Sequence, residues 1–224
     1  MSVFRDLVNI WKSEDNLSQA WSESNDMLHL SHEMFNDAVE ALRSGEKNKV
    51  LKSIKLRDEK INDYHREIRK KVVTYYSVSK DVTNIDSGLV LINTVVDIER
   101  IGDYSKNILD LAKHYPKKFI AEKFSEDLRA IEETVIDRFS STIKAVENMD
   151  ENLAYELITS YRNDLGKISD KLVAASISGD VEIGKENKTV SVALYARYLK
   201  RIGAHLKNIT SLVVNPFESI GYIK

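Results

Sequence analysis

A chain of 224 residues with 30% charged residues, only 2 Pro, 8 Gly and no Cys is long enough to bury a sizeable core. It has little turn chemistry, which points to a few long helices rather than many strands, and the missing cysteines exclude disulfides and thiolate chemistry and suit the cytoplasm. A net charge of −2 gives no overall pull toward nucleic acid or an anionic membrane, and apolar runs such as Leu89-Val90-Leu91-Ile92 stop far short of the roughly 20 residues of a span.

Val3 to Trp11 sets Phe4, Leu7, Val8 and Trp11 at helical spacing. With Arg5 and Asp6 inside it, this stretch is no signal peptide; it is an amphipathic piece expected to pack on the body, with membrane-surface or partner docking as the alternative. A long helix is expected from Asn16 to Ser44, burying Leu17, Trp21, Leu28, Met34, Phe35, Val39 and Leu42 and ended by Gly45 in the left-handed conformation. On it, Asp26, His29, His32 and Glu33 stand at i, i+3 and i+4 spacings, either as a solvated face or as a set able to gather on a metal. The Glu-x-x-His pairs of di-iron bundles occur nowhere in the chain.

A second helix is expected from Lys47 to Ser77, with Val50, Leu51, Ile54, Ile61, Tyr64, Ile68 and Val72 as its apolar stripe. Arg43 to Lys71 holds 11 Lys/Arg against 5 Asp/Glu, which reads as a solvated face with ion pairs one turn apart or as a docking surface for an acidic partner. Asp58, Asn62 and His65 share one of its stripes. After a polar connector, Ser77 to Ser87, with Ser79, Asp81, Thr83 and Asp86 as candidate caps, a third helix runs to His114 and stops before Pro116. It buries Leu91, Ile98, Ile101, Ile108, Leu111 and Ala112. At 100° per residue Glu99 and Asp103 turn away from Ile101 and Ile108, to the outside or edge of the bundle.

Beyond Pro116 the pattern resumes. A fourth helix, Ser125 to Asn148, buries Leu128, Ile131, Val135, Phe139, Ile143 and Val146. Met149 to Glu151 turns into a fifth, to Ser176, carrying Leu153, Leu157, Ile158, Tyr161, Leu165, Ile168, Leu172 and Val173, with Asp164 the residue nearest the position of Asp58. Ile177 to Glu186 is a loop, and a sixth helix spans Asn187 to Val214. Lys185 to Lys207 has six Lys/Arg and one acid, Glu186, so this face is solvated or meets anionic groups or an acidic partner. The tail, with Phe217, Ile220, Tyr222 and Ile223, packs back or contacts a second copy.

The third and sixth helices carry an internal repeat. Arg100, Ile101, Gly102, Lys106, Asn107 and Ile108 recur 101 positions on as Arg201, Ile202, Gly203, Lys207, Asn208 and Ile209, and Pro116 is matched by Pro216. Where the first copy has Glu99 and Asp103, the second has Lys200 and Ala204. Glycine inside a helix costs about 1 kcal/mol relative to alanine, so two at matching places indicate a close approach, by a neighbouring helix or a ligand. The fold expected is all-α, two tandem antiparallel three-helix bundles, residues 1–116 and 117–224.

Ile98 to Ile108 resembles the motif helix of the PhoU family of phosphate-uptake regulators, L-E-R-I-G-D-x-x-x-N-I, found once in each half of those molecules. The second copy matches in its apolar, Arg, Gly and Asn-Ile positions, and no Q-P-x-A-x-D-L-R type segment stands in Ser77 to Leu91, which marks a divergent relative. The resemblance implies a cytoplasmic, non-enzymatic adaptor that represses phosphate uptake and signalling by contact with a phosphate transporter and a sensor histidine kinase, with a homodimer among its contacts and no nucleic acid. It also implies a divalent or ferric ion (Mg, Mn, Fe or Zn), held in the first bundle only by Glu99, Asp103, Asp58 and Asn62, because the second bundle lacks the acidic pair. Oxygen ligands of this kind favour hard cations. The alternative function is a metal-binding or metal-dependent helical protein acting through that carboxylate cluster.

Overall fold

The computed structural model describes residues 16–79, 85–115, 119, 124–178, 188–215 and 219–221. The amphipathic piece Val3 to Trp11, the caps Asp81 and Thr83, the junction at Pro116, most of the loop after Ile177, and Phe217, Tyr222 and Ile223 lie outside them. The helices, in chain order, are α1 (Asn16–Ser44), α2 (Asn48–Lys55), α3 (Arg57–Ser79), α4 (Ile85–His114), α5 (Ser125–Asn148), α6 (Glu151–Tyr161), a π turn (Arg162–Gly166), α7 (Lys167–Ser178) and α8 (Lys188–Ser211). No strand occurs among the described residues.

Local sequence explains most of the boundaries. Gly45, at φ 78, closes α1, its N–H reaching Ala41 O at 3.1 Å. The non-glycine Met149 does the same for α5 at φ 51, and the Asp150 side chain then caps α6 by accepting from Leu153 N at 3.0 Å. The seven apolar residues expected inside α1 and the six expected inside α5 are all buried.

Two expected helices are interrupted. The rod read as Lys47 to Ser77 breaks at Leu56, which is 60% exposed and has neither Gly nor Pro beside it. Lys52 and Lys55 end α2, and Asp58 and Glu59 open α3, so each new terminus carries the charge its dipole favours. The break turns Val50 to the surface, against expectation, while Leu51 and Ile54 stay inside. The rod read as Glu151 to Ser176 widens into the π turn, whose extra residue shifts the register of everything after it. The last helix is shorter than expected, Leu212 to Val214 continuing as turns, and Ile220 folds back against the core.

α1, α3 and α4 pack together with α2 across one end, and α5, α8 and the α6–π–α7 rod form the second group. The groups meet through α4 on α8 and α1 on α5, so the two motif helices lie against one another and one apolar core runs through both. Gly102 and Gly203 mark close crossings. A Cβ on Gly102 would stand 3.3 Å from Ile61 Cδ1 and 3.5 Å from Asp58 Oδ1, and one on Gly203 would overlap Leu165. At both places the neighbour is a helix.

Candidate functional site

The break at Leu56 places Asp58 in the first turn of α3, facing α4, with its Oδ1 in ordinary contact distance of Gly102. Asp58 is 7% exposed. Asn62, one turn on, donates Nδ2–H to Asp58 Oδ2 at 2.9 Å. From α4, Lys106 Nζ donates to the same Oδ2 at 2.8 Å and lies 2.8 Å from Asp103 Oδ1. Arg100 donates to Asp103 Oδ2 at 2.9 Å, and its Nε stands 3.6 Å from Glu99 Oε2. The four residues expected at the site, Asp58, Asn62, Glu99 and Asp103, are thus brought to one edge of the first group, as the outward turn of Glu99 and Asp103 requires.

Charge at this edge is largely offset from within, Lys106 and Arg100 standing against Asp58, Asp103 and Glu99. Burial pulls the Lys106 pKa down, but hydrogen bonds with Asp103 and Asp58 outweigh it and hold the ammonium above its ordinary range. Glu99 has its carboxyl raised by burial and then by the charge of Asp103. His65, on the same stripe of α3, is lowered by burial and by Arg69, Arg100 and Arg66, so it carries no extra positive charge into the cluster.

The carboxylates are of the type a hard cation takes, and Asp58 Oδ1 is buried with no hydrogen-bond partner among the described residues. Their common position, however, is filled by the Lys106 ammonium. Among the described residues no three His, Asp or Glu side chains converge as metal ligands would. As arranged, the set does not fit an ion.

Of the four polar residues on this face of α1, Asp26, His29 and Glu33 are exposed, as a solvated face requires, and His32 is partly buried. His29 Nε2 pairs with Glu147 Oε1 of α5 at 2.7 Å, and His32 lies with its ring 4.6 Å from that of Phe139, its pKa lowered first by burial. Both histidines therefore join the two groups.

In the second copy the chemistry is changed. Tyr161, the last residue of α6 before the π turn, lies against Gly203, its Cε2 3.4 Å from the position a Cβ would take, where Asp58 stands in the first copy. Asp164, the residue expected nearest that place, instead accepts from the buried Arg138 at 3.0 Å, and Arg138 also donates to Leu157 O and Ser160 Oγ, each at 2.6 Å. Lys207, the counterpart of Lys106, has Nζ 5.6 Å from the Tyr161 ring centroid, and Lys200 pairs with Asp170 at 2.5 Å.

Two polar clusters between the groups have no forerunner in the sequence reading. His205, 8% exposed, donates Nδ1–H to Asp97 Oδ1 at 2.6 Å, and Asn208 donates to the same oxygen at 3.2 Å. Arg43 Nε donates to Glu132 Oε2 at 2.9 Å, and the Tyr195 hydroxyl, its pKa driven well up by burial, donates to that oxygen as well. Each links residues 63 to 111 positions apart, a separation that leaves no trace in local spacing.

The PhoU domain matches this sequence twice, over residues 25–112 and 128–213. The chain belongs to the PhoU family. That is a family of regulators rather than enzymes, with a role in phosphate transport. The two matched spans carry the two copies of the motif helix, α4 and α8. The crystal structure of PhoU from Pseudomonas aeruginosa superposes with a TM-score of 0.76 over 89% of this chain and 95% of that one, at 22% identity, which establishes the common helical fold. No curated protein matches the chain by sequence. No helix among the described residues is long and apolar enough to cross a membrane.

Proposed function

We propose that the protein is a cytoplasmic adaptor that lowers phosphate uptake and phosphate signalling by docking on a phosphate transporter and its sensor kinase, with residues 1–116 and 117–224 as its two working halves. The observation that supports this reading is the double PhoU match, which spans both halves and includes both motif helices. Its chemistry is contact by exposed helix faces. Lys47, Lys49 and Lys52 at α2 and Lys70 further along α3 are exposed and without an ion pair among the described residues, and Leu56 between the two helices is exposed. Affinity purification from phosphate-replete cells is expected to bring down the transporter or the kinase. Recovery of neither, with phosphate uptake unchanged when the gene is deleted, removes the adaptor reading.

A second reading, a metal-binding helical protein acting through Glu99, Asp103, Asp58 and Asn62, is favoured by one observation, the buried oxygen of Asp58 that has no hydrogen-bond partner among the described residues. It requires Lys106 to leave the carboxylates. Metal analysis of the protein purified without chelator decides: Mg, Mn, Fe or Zn at one or more per chain, lost in Glu99→Ala, would carry it, and a metal-free chain that still regulates uptake would end it.

A further inference from the structure

The stripe that reads Val96, Glu99, Asp103, Lys106 on α4 reads Arg197, Lys200, Ala204, Lys207 on α8. In the first copy the lysine finds two carboxylates, Asp58 and Asp103. In the second, both counter-charges are missing, because Tyr161 takes the place beside the matched glycine and Ala204 the place one turn before the lysine. Lys207 is left half-buried against an aromatic face with no carboxylate paired to it among the described residues. Burial holds its pKa below the ordinary range of a lysine, the reverse of Lys106. Arg197 is exposed and has no ion pair among the described residues either, and Lys200 is held by Asp170, whose side chain is 63% exposed.

We infer that this stripe is a docking face for an acidic segment of a partner protein, whose carboxylates supply Lys207 and Arg197 with the counter-charge that the first copy carries within itself. The inference rests on the adaptor reading above. A partly desolvated ammonium is less screened than an exposed one and so gains more from an arriving carboxylate. Arg197 and Lys207 lie ten residues apart on one helix, roughly 15 Å at the helical rise, a span that a chain bearing several acids bridges and a single small oxyanion does not. Asp170, in an exposed pair that contributes little, yields Lys200 readily to the same segment.

The test uses the full chain and a fluorescent octaglutamate peptide. Arg197→Met/Lys207→Met is expected to weaken peptide binding about tenfold, the loss of one good charge pair, while Lys207→Arg keeps it. Lys49→Met/Lys52→Met, on the other basic surface, is expected to change it less than about twofold. Unchanged affinity in Arg197→Met/Lys207→Met overturns the inference, as does an equal loss in Lys49→Met/Lys52→Met or full displacement of the peptide by millimolar inorganic phosphate, which would make this a site for a free oxyanion. Melting of Lys207→Met no lower than wild type shows that lost binding is not lost folding. In cells deleted for the gene, a wild-type chain that does not lower phosphate uptake overturns the adaptor reading itself. A wild-type chain that lowers it, matched by Arg197→Met/Lys207→Met, leaves that reading standing and overturns the docking face.

Discussion

Lys106 and Lys207 hold the same register on two copies of one helix, and their surroundings treat them in opposite ways. Lys106 sits between Asp58 and Asp103, which more than offset the effect of its burial; Lys207 has a tyrosine ring and an alanine there, and burial prevails. The glycines and the apolar stripe are common to both copies, whereas the charged partners are not. The difference teaches that close packing between the motif helix and its neighbour is independent of what the polar edge of that packing does.

Lysine removal breaks this comparison most directly. Lys106→Met leaves Asp58 buried without its counter-charge and is expected to destabilise by about 3 kcal/mol, the scale for unpairing a buried ion. For a chain of this length that is a fall of order 10 °C in the melting temperature. Lys207→Met removes a half-buried cation with no counter-ion among the described residues and is expected to leave melting unchanged or raise it. Equal losses in the two variants would mean that the copies are held alike.

The glycines give the next largest contrast. Gly203→Ala forces Leu165 out of its place and is expected to destabilise by about 1–3 kcal/mol, an overpacking effect. In Gly102→Ala the nearest neighbour is the end of the Ile61 side chain, which can give, and the helical gain of about 1 kcal/mol offsets the crowding. Chemical denaturation of both variants ranks them. Between the copies, a double-mutant cycle of Asp97→Ala and His205→Ala is expected to show a coupling of about 1 kcal/mol, and a coupling near zero would mean that the pair holds nothing together.

The smallest effect is that of pH at Glu99. Its carboxyl is raised in the folded chain above the ordinary 4.5, so the folded state holds that proton more tightly than the unfolded one. The resulting stability is present below the unfolded value and is lost as pH rises through the folded one. Glu99→Gln is therefore expected to gain on wild type as pH climbs above about 4.5, by a few tenths of a kcal/mol because the group is partly solvated. Denaturation curves across that range that run parallel would remove the shift.

Where a helix ends on marked chemistry, its limits are legible in the residues. Gly45 closes α1, Ser125 begins α5 and Tyr115, before Pro116, follows α4. The buried stripes of these helices follow from spacing alone. The break at Leu56 has no Gly or Pro, and its signal was the order Lys52, Lys55, Asp58, Glu59, a basic helix end followed by an acidic helix start. The π turn has no such signal, and Gly203 meets Leu165 and Tyr161 there, while Asp164 pairs with Arg138. The edge of Glu99 and Asp103 followed from their angular position, and Asp103 with Lys106 is an i,i+3 pair within α4, but the reach of that ammonium to Asp58 depends on how two helices cross, which no spacing within one helix encodes. The same holds for His29 with Glu147 and Arg43 with Glu132, contacts 118 and 89 positions apart.

Because α4 and α8 bury each other, with the Tyr104 ring 6.0 Å from Tyr198 and 5.9 Å from His205, neither half of the gene encodes a finished surface. Expressed alone, each fragment would expose the apolar and polar side chains that the other covers. Expressed together they should find one another, so the protein could be split near the middle and used as a two-part reporter whose signal depends on reassembly.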